Sequence, residues 1–157
     1  MTVDKTLFVL YGTWNTGKTT TITKTRDLLM KLPDATKTEY KPDAPDFTCI
    51  IKVGGIRIGI VSDGDVPGNV RNAIKSFQDK NCHVIICACR TRKTKGSARE
   101  YIDTLSGCYN SYWFRTSTIY NARWLANEKE RECKTYNHDT AKVIVGMIKR
   151  RINANRQ

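Results

Sequence analysis

No apolar run in this chain approaches the roughly 18 residues needed to cross a bilayer, so no membrane partner is expected. The opening residues, Met1-Thr2-Val3-Asp4-Lys5, lack a basic stretch followed by an apolar one. A secretory signal is therefore not expected, and a cytoplasmic location is. Acidic residues are few: 15 Asp and Glu stand against 27 Lys and Arg. There are only two histidines, and no arrangement of Ser, His and Asp suggests triad chemistry. The six cysteines, at 49, 82, 87, 89, 108 and 133, form no C-x-x-C pair. Cys87 and Cys89 alternate in an apolar stretch near His83, which keeps a metal site conceivable. Small buried thiols in a reducing compartment are the simpler account. Neither a repeat nor a linker divides the 157 residues, so one domain over 1–157 is expected. With 39% hydrophobic and 27% charged residues, the chain has the composition of a soluble globular domain with a real core.

The net charge of +12 is uneven. Residues 1–89 hold 12 Lys/Arg and 9 Asp/Glu, whereas residues 90–157 hold 15 and 6. A basic second half suits polyanions such as nucleotide, nucleic acid or an acidic protein. A solvated basic face without a partner explains it equally well.

The stretch with most chemical content is Gly12-Thr13-Trp14-Asn15-Thr16-Gly17-Lys18-Thr19, which reads G-x-x-x-x-G-K-[ST]. The apolar run Leu7–Tyr11 enters it as a strand, and a helix from Lys18 to about Leu32 leaves it. Glycines at 12 and 17 let the backbone turn tightly and aim N–H groups at phosphate oxygens. The helix N-terminus adds partial positive charge. Lys18 is expected to reach the β- and γ-phosphates and Thr19 to ligate Mg²⁺. Residues 12–20, including Thr13, Trp14, Asn15, Thr16 and Thr20, form the expected nucleotide cradle.

On these residues the chain resembles the P-loop NTPase superfamily. The resemblance implies a nucleoside triphosphate with Mg²⁺, and either hydrolysis or phosphoryl transfer. The motif does not specify one family within the superfamily.

The first helix is rich in threonine, at 19, 20, 21, 23 and 25, so packing must override its weak propensity. Residues 33–46 carry three prolines and many polar groups and read as a long loop. Thr36 and Thr38 are its candidate Mg²⁺-side hydroxyls, and Glu39, Asp43 and Asp46 its candidate substrate contacts; a disordered connector is the alternative. Phe47–Val53 and Ile56–Val61, joined by Gly54-Gly55, read as a hairpin. Ser62-Asp63-Gly64-Asp65 follows. Asp63, nearest the strand end, is the preferred Mg²⁺ ligand, in the manner of a Walker B acid. Asp65 competes for that role, and Asp65-Val66-Pro67-Gly68 is similar to the D-x-x-G switch of GTPases. Asp65 also suits the N-cap of a helix bearing Val70, Ala73, Ile74 and Phe77.

Cys82–Cys89 reads as a strand buried on both faces. It runs into Arg90-Thr91-Arg92-Lys93-Thr94-Lys95-Gly96, four of whose seven residues are basic. If this strand is parallel to the first, the loop lies on the nucleotide side, outside the strands' carboxyl ends. Arg90 and Arg92 are then candidates to offset charge on a transferring phosphoryl group, with Arg99 beside them. A mobile basic loop is the alternative. Ser97 and Glu100 form a capping box for a short helix, and Gly107 is its expected C-cap. Tyr109–Ile119 reads as the last strand, with Thr116-Ser117-Thr118 as weak candidates for base contact. A helix over about Asn121–Cys133 and a final helix, capped by Asn137 or Asp139, complete the chain. His138 is assigned no role.

The whole suggests an α/β fold: a three-layer α/β/α sandwich around a mostly parallel sheet of about five strands. The strand after the first helix would be its antiparallel edge. No N-K-x-D follows Cys89, which removes the guanine signature and leaves ATP as the default nucleotide. No Glu follows Asp63, so the base of typical motor ATPases is missing; Asp65 is the candidate to polarise a water or hydroxyl. Two functions compete. One is a Mg²⁺-dependent NTPase or phosphotransferase acting on a small phosphate acceptor. The other is a nucleotide-gated switch docking nucleic acid or an acidic partner through the basic half.

Overall fold

The computed structural model describes residues 4–12, 17–43, 46–105, 107–116 and 126–157, with side chains of the last segment described from 131 onward. The elements in chain order are β1 (Thr6–Gly12), α1 (Lys18–Met30), β2 (Thr36–Asp43), β3 (Asp46–Val53) and β4 (Ile56–Val61). They continue with α2 (Pro67–Asp79), β5 (Val84–Arg90), α3 (Ala98–Leu105), β6 (Asn110–Arg115) and α4 (Ala126–Arg156).

The six strands form one open sheet in the order β2-β3-β4-β5-β1-β6. β1 and β5 occupy its interior because nearly every residue in them is apolar and buried. Alternate side chains feed two cores. Phe8 and Leu10 meet Ile22 and Leu29 of α1 and Ile144 and Ile148 of α4 on one face. Leu7 and Val9 meet Val70, Ile74 and Phe77 of α2 and Ile102 of α3 on the other. The molecule is therefore α/β with helices on both faces of the sheet.

The sheet is mixed, not mostly parallel, and has six strands rather than about five. β1 pairs in parallel with β5 and β6, and β4 with β5, but β3 runs antiparallel to both β2 and β4. The extra strand is β2, within the stretch expected to be a loop. All eight of its residues are exposed, so no apolar alternation marks it; pairing with β3 supplies its order. β2 takes the edge, and β3, expected there, lies inside.

Other expectations hold closely. Gly54 and Gly55 have φ of +57° and +78°, the paired left-handed conformation of a two-residue hairpin turn. In α1, Thr21 and Thr25 are fully buried. Their hydroxyls donate to the Gly17 and Thr21 carbonyls, each at 2.8 Å, which satisfies the polar groups that made the helix a poor candidate. The expected division before the final helix is absent: α4 runs unbroken through Asn137 and Asp139, so neither caps a helix. The expected start near Asn121 lies outside the described residues.

Candidate functional site

Every strand parallel to β1 ends at one edge of the sheet, and the β1–α1 turn lies there. β5 pairs with β1 so that Arg90 stands opposite Gly12. The next amide, Thr91 N–H, donates to the Gly12 carbonyl at 3.2 Å. The basic loop is thereby tied to the G-x-x-x-x-G-K-T motif, as the parallel reading of the two strands requires. β3 is antiparallel, so it brings its first residue, Asp46, to the same edge.

Thr13, Trp14, Asn15 and Thr16 lie outside the described residues, as do Ser117 and Thr118. The two ends of the turn are described. Gly17 has φ of +86°, the left-handed region that favours glycine. A Cβ there would stand 2.6 Å from Nδ2 of Asn137. Asn137 of α4 thus lies directly on the turn, with 7% of its surface exposed. Sequence reasoning missed this contact, since it placed Asn137 at a helix end.

Lys18 is also 7% exposed. Its ammonium donates to the Gly12 carbonyl at 3.1 Å, across the mouth of the turn. Burial pushes its pKa below the ordinary lysine value; the Asp65 carboxylate opposes that shift and Arg90 adds to it. Thr19 is half-buried and Thr20 exposed. The Thr19 hydroxyl donates to Oδ1 of Asp46 at 3.1 Å. The Ser62 hydroxyl donates to the same oxygen at 3.0 Å and accepts from the Phe47 amide at 2.8 Å. Thr19 therefore meets Asp46, which sequence reasoning had offered as a substrate contact rather than a metal ligand.

Asp63 is engaged locally. Its Oδ1 accepts from the Asp65 and Val66 amides at 2.9 and 3.2 Å, and its Oδ2 from the Asn69 amide group at 2.9 Å. It is Asp63, not Asp65, that organises the start of α2. Asp65 instead pairs with Arg90 at 3.0 Å. The structure thus gathers Gly12, Gly17, Lys18, Thr19, Asp46, Asp65 and Arg90 at one edge, with Asp63 at the base of α2 beside them. Among the other loop candidates, Thr38 donates to the Ile50 carbonyl and Glu39 pairs with Lys80. Thr36 pairs with Lys52 towards the opposite edge.

Around the basic loop, Ser97 Oγ accepts from the Glu100 amide at 3.1 Å, as the capping box predicts. The box is not closed on Ser97: Glu100 Oε1 accepts from the Gly96 amide instead. Arg92 is exposed. Arg99 stacks on the rings of Tyr11 and Trp113, at 5.0 and 4.6 Å from their centroids, and donates to the Thr91 carbonyl at 3.1 Å.

Among the described residues, the basic groups of the second half fall at two ends of the sheet. Arg151, near the end of α4, donates to the Asp4 carbonyl before β1, and Arg156 pairs with Asp34 after α1. Both lie at the edge opposite the β1–α1 turn.

Cys49, Cys82, Cys87 and Cys89 are buried. Burial raises the thiols of Cys49, Cys82 and Cys89 to about 11, and it pushes that of Cys87 well above the ordinary thiol value. Among the described residues, no three or more His, Cys, Asp or Glu group as a metal cluster. Nor is any helix among them long and apolar enough to cross a membrane. Comparison with protein-family models, with curated proteins and with solved structures gives no match.

Proposed function

We propose that this chain binds a nucleoside triphosphate with Mg²⁺ at its β1–α1 turn, as a P-loop protein, and transfers the γ-phosphoryl group to water or a small acceptor. One observation carries the reading: the buried Lys18 ammonium bridges back to Gly12 over a glycine-hinged turn, where a triphosphate could displace that contact. The oxygen donors at hand, Thr19 and Asp46 with Asp63 and Asp65 nearby, suit Mg²⁺, a hard cation that takes hydroxyl, carboxylate and water ligands. When bound, Mg²⁺ would offset charge on the β- and γ-phosphate oxygens.

The chain's own groups divide the remaining work. Amides of residues 12–20 cradle the phosphates, and Lys18 offsets their charge. The acceptor oxygen bonds to the γ-phosphorus as the bond to the bridging oxygen breaks, and the diphosphate leaves with that electron pair. Asp65 takes the acceptor's proton, and Arg90, paired with Asp65 in the structure, steadies the charge on the transferring group. Arg92 is a further candidate for that role. ATP is the default nucleotide, for want of a guanine signature.

The rival reading, a nucleotide-gated switch docking nucleic acid or an acidic partner, draws less support, because among the described residues Arg90 lies at one edge and Arg151 and Arg156 at the opposite one. The deciding measurement pairs calorimetric titration with ATP and GTP, with Mg²⁺ present, with an assay of diphosphate release. Binding that Lys18→Ala abolishes, together with turnover, supports the proposal. Absence of binding to every triphosphate refutes both readings; binding without turnover, with candidate acceptors present, refutes the catalytic one.

A further inference from the structure

Beside the turn lies a cleft of about 440 Å³, within the size range of small-ligand sites. Arg90, Arg92, Lys95 and Arg99 line it, and among the described residues Asp65 is its one carboxylate. The charge is therefore strongly unbalanced. Arg90 spends part of its charge on Asp65, and Arg99 lies 3.8 Å from Asp103. Arg92 and Lys95 make no ion pair or side-chain hydrogen bond among the described residues.

The cleft is also built. Arg99 is held from three sides, by the Tyr11 and Trp113 rings and the Thr91 carbonyl. Its Nε is buried without a hydrogen-bond partner. A guanidinium fixed in this way loses little freedom when it meets an oxyanion. The floor is fixed too: a Cβ on Gly64 would stand 2.9 Å from the Ala88 carbonyl carbon, so the turn before α2 is pressed against β5.

We infer that this cleft is a second ligand site, which takes a small oxyanion such as a carboxylate or phosphate monoester. Arg92, Lys95 and Arg99 hold it, and Arg90 stands between it and the phosphate loop. The inference rests on the proposed triphosphate site only for what the ligand is for: it makes the anion a co-substrate of that reaction. A concave pocket bounded by a helix start and a turn fits a small molecule better than a polymer, which needs a continuous basic track.

The test titrates inorganic phosphate and, separately, succinate into nucleotide-free Lys18→Ala protein at low salt, read by calorimetry. Lys18→Ala disables the phosphate loop, so uptake reports the cleft. If that variant does not fold, wild-type protein saturated with Mg²⁺ and a non-hydrolysable triphosphate, which fills the γ-phosphate position, serves instead. Saturable binding of either anion is expected, weakened about tenfold by adding Lys95→Glu, which turns an attraction into a repulsion at close range. Arg92→Gln should weaken it as well. Phosphate alone marks a phosphorylated ligand, and both anions a carboxylate-tolerant one. Unchanged affinity in Lys95→Glu and Arg92→Gln overturns the inference, as does the absence of saturable binding. A single-stranded oligonucleotide bound far more tightly than phosphate, and released by the same substitutions, also overturns it in favour of a polymer. Failure of wild-type protein to bind any triphosphate would refute the proposed function and leave this result standing.

Discussion

Replacing Gly17 by alanine tests the geometry of the β1–α1 turn without any ligand. Two separate costs follow from the structure. At φ of +86° a Cβ crowds its own backbone, at about 1–2 kcal/mol. That Cβ would also stand 2.6 Å from Nδ2 and 3.1 Å from Cγ of Asn137. Asn137 has a short side chain, is buried, and sits inside a continuous helix, so it cannot swing aside freely. Overpacking of this kind costs about 1–3 kcal/mol. Together Gly17→Ala should lose about 2–5 kcal/mol, read as a fall in the urea midpoint, or roughly 5–15 °C in Tm for a chain of this size. The two costs separate in a double-mutant cycle. Asn137→Ala opens the space and should recover about 1–3 kcal/mol of the Gly17→Ala loss, leaving the backbone strain. Strict additivity of the two substitutions, or a Gly17→Ala cost below about 0.5 kcal/mol, would refute the packing of α4 on this turn.

Lys18→Met removes a desolvated ammonium, so Tm without nucleotide should hold or rise, while triphosphate binding is lost with the charge-assisted contacts that the ammonium supplies. Paired thermal melts and titrations check both halves. Asp46→Asn and Asp63→Ala should separate metal binding from folding. The first should shift the Mg²⁺ concentration needed for triphosphate binding; the second removes the acceptor of the Asp65 and Val66 amides and should mainly destabilise the turn before α2, by about 1 kcal/mol, in denaturant melts. His83 accepts a hydrogen bond from the Arg57 amide at 3.0 Å, and burial with nearby Arg57 and Lys5 lowers its pKa. The unfolded chain therefore binds more protons there, so stability should fall as pH drops below about 6.5, and His83→Gln should flatten that slope in urea titrations from pH 7.5 to 5.

The sequence carried the elements whose side chains face a core. The Val70, Ala73, Ile74, Phe77 spacing marked α2, the unbroken Cys82–Cys89 run marked β5, and Gly54-Gly55 fixed the hairpin. It could not carry β2, whose residues are all exposed and whose order comes from its neighbour. Nor could it mark α4 as continuous, because a break before residue 137 was inferred from polar residues that suit caps as well as exposed helix faces. At the site, the search for acids followed the ends of parallel strands and reached Asp63 and Asp65. Asp46 reads from the sequence as a substrate contact, not as the partner of Thr19, because an antiparallel strand presents its beginning, not its end, at that edge. The Asn137 contact is non-local and has no signature in spacing at all.

The outermost strand decides how the sheet stops. An edge with evenly spaced donors and acceptors invites another chain to zip onto it, and β2 is wholly uncovered. Its register slips between Lys37 and Glu39, its residue Pro42 has no amide hydrogen to offer, and Lys37 and Lys41 would crowd like charges against an incoming copy. These irregularities leave any would-be partner strand out of step, so the bare margin of the sheet is a poor template for a further strand.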